Sequence, residues 1–111
     1  MDKTKEYYLR EIEKAKSLSK EEEAELVKTI SIKGANCEEM KTLKHSSLKA
    51  IYDVASQHLD RGLTLENLIE LGYEGLEVAL SKYNLNSDYS FSAYAVWWIR
   101  QRMLQELNEH E

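Results

Sequence analysis

Phe91-Ser92-Ala93-Tyr94-Ala95-Val96-Trp97-Trp98-Ile99-Arg100-Gln101 is the stretch on which the reading of this chain turns. With Tyr89 just ahead of it, five aromatic rings fall within ten residues and are followed at once by Arg100, Gln101 and Arg102. Ser90 or Ser92 can cap a helix here, because a side-chain hydroxyl accepts from the first free amides, and the helix is expected to run to about Asn108. An aromatic stripe on a helix is usually core. Trp97 and Trp98, however, are neighbours about 100° apart around a helix axis and cannot both point into one stripe. The spacing gives one face of Phe91, Ala95, Trp98 and Ile99 and a second of Tyr94, Trp97, Gln101 and Leu104. The second face combines rings with an amide. Rings stack on any unpaired base at about 1–3 kcal/mol each, and an amide can read base edges.

Upstream, periodicity and caps predict four more helices, giving an all-α bundle of about five. The first covers roughly Lys5 to Lys16 with Tyr8, Leu9 and Ile12 on its apolar side. Ser19 with Glu22 is a capping box that opens the second, whose stripe is Leu26, Val27 and Ile30 and whose end is marked by Gly34. Asn36 with Glu39 repeats the capping pattern ahead of a longer helix carrying Met40, Leu43, Leu48, Ile51, Ala55 and Leu59, with Gly62 as its stop. Thr64 caps a fourth, with Leu65, Leu68, Ile69, Leu76, Ala79 and Leu80 on one side. Gly72 and Gly75 lower that helix's intrinsic stability and are expected to admit a close neighbour. Asn84 to Ser90 are polar turn formers.

The 111 residues suit a single small domain, and 42% hydrophobic with 32% charged residues suits a folded one. Absence of proline and only four glycines favour helix over strand. The N-terminal Met1 to Tyr8 has no apolar signal region and the compact apolar run Tyr94 to Ile99 is too short to span a bilayer, so a cytoplasmic protein with no membrane partner is expected. Cys37, the single cysteine, has no partner for a disulfide. His45, His58 and His110 stand at no metal-ligand spacing with it or with one another, and no phosphate loop, nucleophile elbow or paired-carboxylate motif is present. No metal, no cofactor and no catalysis are expected. Net charge is −5, with eight basic and eight acidic residues over 1–34, five against eight over 35–82, and two against four over 83–111. A chain so charged does not hold duplex DNA by phosphate contacts alone. On the fourth helix, Glu66, Glu70, Glu74 and Glu77 share one face, which is either solvated or a ridge for a basic partner.

The segment from Phe91 to Gln101 resembles the F-S-x-Y-A-x-W-W-I-R-Q motif of primary-type, sigma-70 class, bacterial sigma factors. Asp60-Arg61-Gly62-Leu63 and Asn67-Leu68-Ile69-Glu70-Leu71-Gly72-Tyr73-Glu74-Gly75-Leu76 are similar to the family's N-R-G-L and D-L-I-Q-E-G-N-I-G-L. Tyr8-Leu9-Arg10-Glu11-Ile12 and Glu21-Glu22-Glu23-Ala24-Glu25-Leu26 resemble the segment that precedes them. The resemblance covers nearly the whole chain, with 1–34 like conserved region one-point-two and 35–111 like region two, and it does not extend to the later regions that read the upstream promoter element.

The resemblance implies a subunit that docks on the clamp coiled coil of the largest subunit of core RNA polymerase and opens the promoter minus-ten element, holding mainly the non-template single strand. Docking would fall to Glu66, Asn67, Glu70, Leu71, Tyr73, Glu74 and Glu77. Tyr94 would stack on the flipped adenine, Trp97 would fill the upstream fork, Gln101 would read the last paired base, Tyr89 and Phe91 would line the strand, and Arg100 and Arg102 would meet phosphates; Trp98 would be core. The chain departs from the family in two places. Leu85-Asn86-Ser87-Asp88-Tyr89-Ser90 stands where the family has an arginine pair and a lysine, and Glu70-Leu71 with Tyr73-Glu74 rewrites the docking ridge. These departures motivate the alternative of a truncated sigma-like regulator that binds polymerase or a partner protein without opening DNA.

Overall fold

The computed structural model describes residues 3–34 and 36–110. Five helices account for the secondary structure among them: α1 (Lys3–Lys14), α2 (Lys20–Lys33), α3 (Glu38–Ser56), α4 (Leu65–Lys82) and α5 (Phe91–His110). The expected capping box is formed. Ser19 Oγ accepts from the Glu22 amide at 3.1 Å while the Ser19 amide donates to Glu22 Oε1 at 3.0 Å. Gly34, at φ 91°, closes α2 by donating its amide to the Ile30 carbonyl at 2.7 Å. Thr64 Oγ1 accepts from the Asn67 amide at 3.1 Å and starts α4.

Three local expectations are corrected. The N-cap of α3 is Cys37, with no side-chain capping bond; Glu39 instead holds Lys33 at 3.4 Å, so the pattern Asn36–Glu39 is spent on an ion pair. α3 ends at Ser56, not at Gly62. Its last turn tightens as the Gln57 and His58 amides bond three residues back, to Val54 and Ala55 at 3.1 and 3.0 Å, and Gly62 then serves the reversal at φ 104°. Leu59 therefore lies outside the helix and is exposed. On α1, Tyr8 and Ile12 pack against the core whereas Leu9 is exposed, because a helix lying on the outside of a bundle buries a narrow stripe.

The core runs through α3, α4 and α5. Leu43, Ile51, Leu68, Ile69, Leu76, Ile99, Met103 and Leu107 are fully buried, and burial of such side chains stabilises by about 1.5–3 kcal/mol apiece. α4 and α5 share the most extensive contact, with α3 across both. The two helical glycines make this possible. A Cβ on Gly75 would lie 2.7 Å from both Ile99 Cα and the Trp98 carbonyl oxygen, and one on Gly72 would run into the Ile51 side chain and approach Met103 Cε at 3.1 Å. α1 and α2 lie against α3. His45 Nε2 donates from α3 to the Glu11 carbonyl of α1 at 2.8 Å. No described helix is long and apolar enough to cross a membrane.

Gly75→Ala should gain about 1 kcal/mol of helix propensity and lose more, because the atoms it meets are backbone and cannot step aside. Overpacking of this kind costs about 1–3 kcal/mol or more. Urea unfolding should show a net loss of stability; a variant as stable as the parent would contradict the described seam.

Candidate nucleic-acid interface

α5 is divided lengthwise. Phe91, Ala95, Ile99, Met103 and Leu107 recur every fourth residue and are buried. Trp97, on the far side, is 54% exposed, and Gln101, one turn on, is exposed as well. Tyr94 completes this row half-buried. Trp98 lies on the flank toward α4, partly buried, edge-on to Trp97 at 4.9 Å between ring centroids, with Lys82 Nζ 5.5 Å over its ring. Its indole nitrogen is buried without a hydrogen-bond partner among the described residues.

The loop into α5 sets the approach to this row. Asn84 Oδ1 accepts from the Asn86 amide at 2.9 Å and the Asn84 carbonyl from the Ser87 amide at 2.9 Å, a side-chain turn that needs no glycine. Ser90 is the cap: its Oγ accepts from the Ala93 amide at 3.3 Å. The next free amide, Ser92, donates to Glu23 Oε1 of α2 at 3.1 Å, so a carboxylate 69 positions away completes the cap and sits at the positive end of the helix dipole. Tyr83, at the end of α4, donates its hydroxyl to the Tyr89 carbonyl at 2.7 Å and places its ring edge-on to Phe91 at 5.3 Å. Burial, then the charge of Glu23, pushes the Tyr83 phenol above its ordinary value.

Of the two arginines that follow the aromatic rings, Arg102 is engaged. Arg102 Nε donates to Glu74 Oε1 at 3.0 Å and its Nη2 to Glu106 Oε1 at 3.4 Å. Arg100 stands near His58, whose pKa is lowered first by burial and then by Arg61 and Arg100.

On α4 the acidic face is split. Glu66 and Glu70 are exposed and form no ion pair among the described residues, and Asn67 is exposed beside them. Glu74 is held by Arg102, and Glu77 by Lys44 at 3.2 Å. Leu71 is 7% exposed and belongs to the core. Tyr73 is half-buried beside α1; burial, followed by Tyr8 and Glu70, pushes its phenol up to about 12. Among the described residues no cluster of three or more His, Cys, Asp or Glu could hold a metal ion, and the His110 side chain lies outside them.

The family model described as sigma-70 region 2 matches residues 43–111. The chain belongs to that family. The RNA polymerase sigma factor SigA of Clostridium acetobutylicum is 35% identical over 100 residues, 90% of this chain and 26% of that protein. SigA of a Bacillus species is 34% identical and that of Listeria monocytogenes 33%, each over the same shares. The chain spans about a quarter of the length of these relatives.

Within this sigma-70 region 2 fold, Tyr89, Tyr94, Trp97 and Gln101 are brought to one surface, with Arg100 at its margin. Phe91, expected to line a strand, is corrected to a core residue at 2% exposure, because the fourfold recurrence that buries Ile99 buries it too. Leu71 is corrected in the same way, and Arg102 is paired with two carboxylates in the free chain. Tyr83, Lys82 and Glu23 were not singled out from the sequence. Tyr83 was detectable, lying four residues beyond buried Ala79 at the end of the packed face of α4; the partner of Glu23 is set by tertiary packing alone.

Phe91→Ala should lower stability by about 3–5 kcal/mol, whereas Trp97→Ala, truncating a ring that is half in water, should cost well under half of that. Denaturant midpoints of the two variants test the division, and equal losses would mean the face assignment is wrong.

Proposed function

We propose that the chain is the polymerase-docking and promoter-opening module of a sigma factor, acting by binding and not by catalysis, in the cytoplasm where transcription takes place. Residues 1–34 would form the region one-point-two-like segment and 35–111 the region-two domain; the boundary at Ala35 lies outside the described residues. The observation that carries this reading is the row of half-buried Tyr94 with exposed Trp97 and Gln101 on a helix of the sigma-70 region 2 family. Opening a duplex costs a few kcal/mol per extruded base. A ring that accepts the base returns about 1–3 kcal/mol of this. Tyr94 would take the flipped adenine, Trp97 the space left at the upstream fork, and Gln101 the last paired base, while Tyr89 stands beside the non-template strand and Arg100 near its phosphates.

Docking is assigned to Glu66, Asn67 and Glu70 on α4, with Tyr73 at the edge and Glu74 and Glu77 available after exchange of their present partners. Glu66 and Glu70, exposed and without counter-ions among the described residues, suit a basic helical surface such as the clamp coiled coil of the largest polymerase subunit. With a net charge of −5 and Arg102 neutralised, the chain lacks the cations for tight duplex binding, so polymerase must supply much of the electrostatic attraction. The same neutralised Arg102, together with the uncharged and acidic residues of the 85–90 loop, favours a second reading, a sigma-like regulator that occupies polymerase without opening DNA.

The double substitution Glu66→Lys and Glu70→Lys should abolish co-purification with core polymerase without unfolding the chain, since both side chains are exposed. Unchanged co-purification would make this face merely solvated.

A further inference from the structure

Among the described residues, three rings surround Tyr94: Tyr83 at 5.6 Å and tilted by 45°, Trp98 at 6.4 Å and edge-on, and Tyr89 at 5.7 Å with an interplanar angle of 28°. Only the last is stacked. A base captured on Tyr94 needs that same geometry, ring plane on ring plane, and two groups cannot occupy one face. For a base to enter on the face that is already stacked, a neighbour has to yield. Tyr83 is partly buried, edge-on to core residue Phe91 and tied by its hydroxyl to the Tyr89 carbonyl. Trp98 is wedged between Trp97 and Lys82 and packed against the core. Tyr89 is 51% exposed, precedes the helix, and among the described residues hydrogen-bonds through its carbonyl and not its ring. Its backbone can stay anchored while χ1 carries the ring away.

We propose that Tyr89 is an internal stand-in for the captured base: it closes over Tyr94 in the free chain and must swing out before a strand is held. The inference rests on the strand-capture reading above and changes the part Tyr89 plays in it, from a wall of the strand channel to a competitor for its principal stacking surface. The stand-in keeps two amphipathic rings from presenting an open apolar face to water, and it raises the threshold for capture. A pair of this kind is modest in strength, so displacement by a base, whose stacking is at least as favourable, is within reach. The polar loop around Asn84 and Ser87 gives the ring an exit into solvent. The gate also selects: a ligand must out-compete a phenol for Tyr94, which disfavours weakly stacking pyrimidines relative to adenine.

The test is titration of the 111-residue chain with a fluorescent single-stranded oligonucleotide carrying the minus-ten sequence. Tyr89→Ala should bind about three- to tenfold more tightly than the parent, the range given by loss of one aromatic pair. Tyr89→Phe, which keeps the ring that covers Tyr94, should show no such tightening. Thermal melts on the same samples confirm folding, which an exposed loop substitution should spare. If the parent binds and Tyr89→Ala binds equally or more weakly, the gate is overturned while strand capture stands. If neither protein binds the strand, strand capture fails and the gate with it.

Discussion

The close approach of α4 and α5 at Gly75 is the constraint on which the rest of the molecule depends. With no side chain at that position, the backbone of α5 at Trp98 and Ile99 comes within 2.7 Å of where a Cβ would stand. That contact fixes the rotation of α5 about its own axis. Once Ile99 faces α4, residues four apart on either side, Ala95 and Met103, must be buried, and Trp97 and Gln101 must face water. A different rotation would bury Trp97 and expose Ile99. The exposed aromatic row is therefore a consequence of how two glycines let helices meet, and the loop before α5, capped by Ser90 and Glu23, sets where that row begins.

Most of the architecture was legible in the chain. Capping side chains at Ser19 and Thr64 announce their helices because the bonds they form are local, within three residues. The adjacent tryptophans announce a divided helix because helical geometry forbids one face for both. Legibility stops where partners are distant in sequence. Nothing near Arg102 tells that Glu74, 28 positions earlier, will hold it, and nothing near Ser92 tells that Glu23, 69 positions earlier, will complete its cap. Phe91 was legible in two ways: its spacing sets it on the face of Ala95 and Ile99, its place in the aromatic cluster suggests a strand contact, and the core takes it.

Charge organises the two candidate surfaces. Glu74 and Arg102 join the α4 ridge to α5, so a basic partner that took Glu74 would loosen Arg102 on the helix that carries the aromatic row. Such an exchange is a small coupling, since the pair is partly exposed and screened, but it links the two faces through a contact already made. In the free chain Arg102 is neutralised by Glu74 and Glu106 and Tyr89 is stacked over Tyr94.

The central claim is that Tyr94 on α5 receives an unpaired base. It is tested most directly by placing 2-aminopurine at the adenine expected to flip in a minus-ten duplex and adding the chain together with core polymerase. The account predicts a rise in 2-aminopurine fluorescence with the parent chain and none with Tyr94→Ala, while both still co-purify with polymerase. A rise of equal size with Tyr94→Ala, or no rise with the parent chain while it is bound to polymerase, would contradict it.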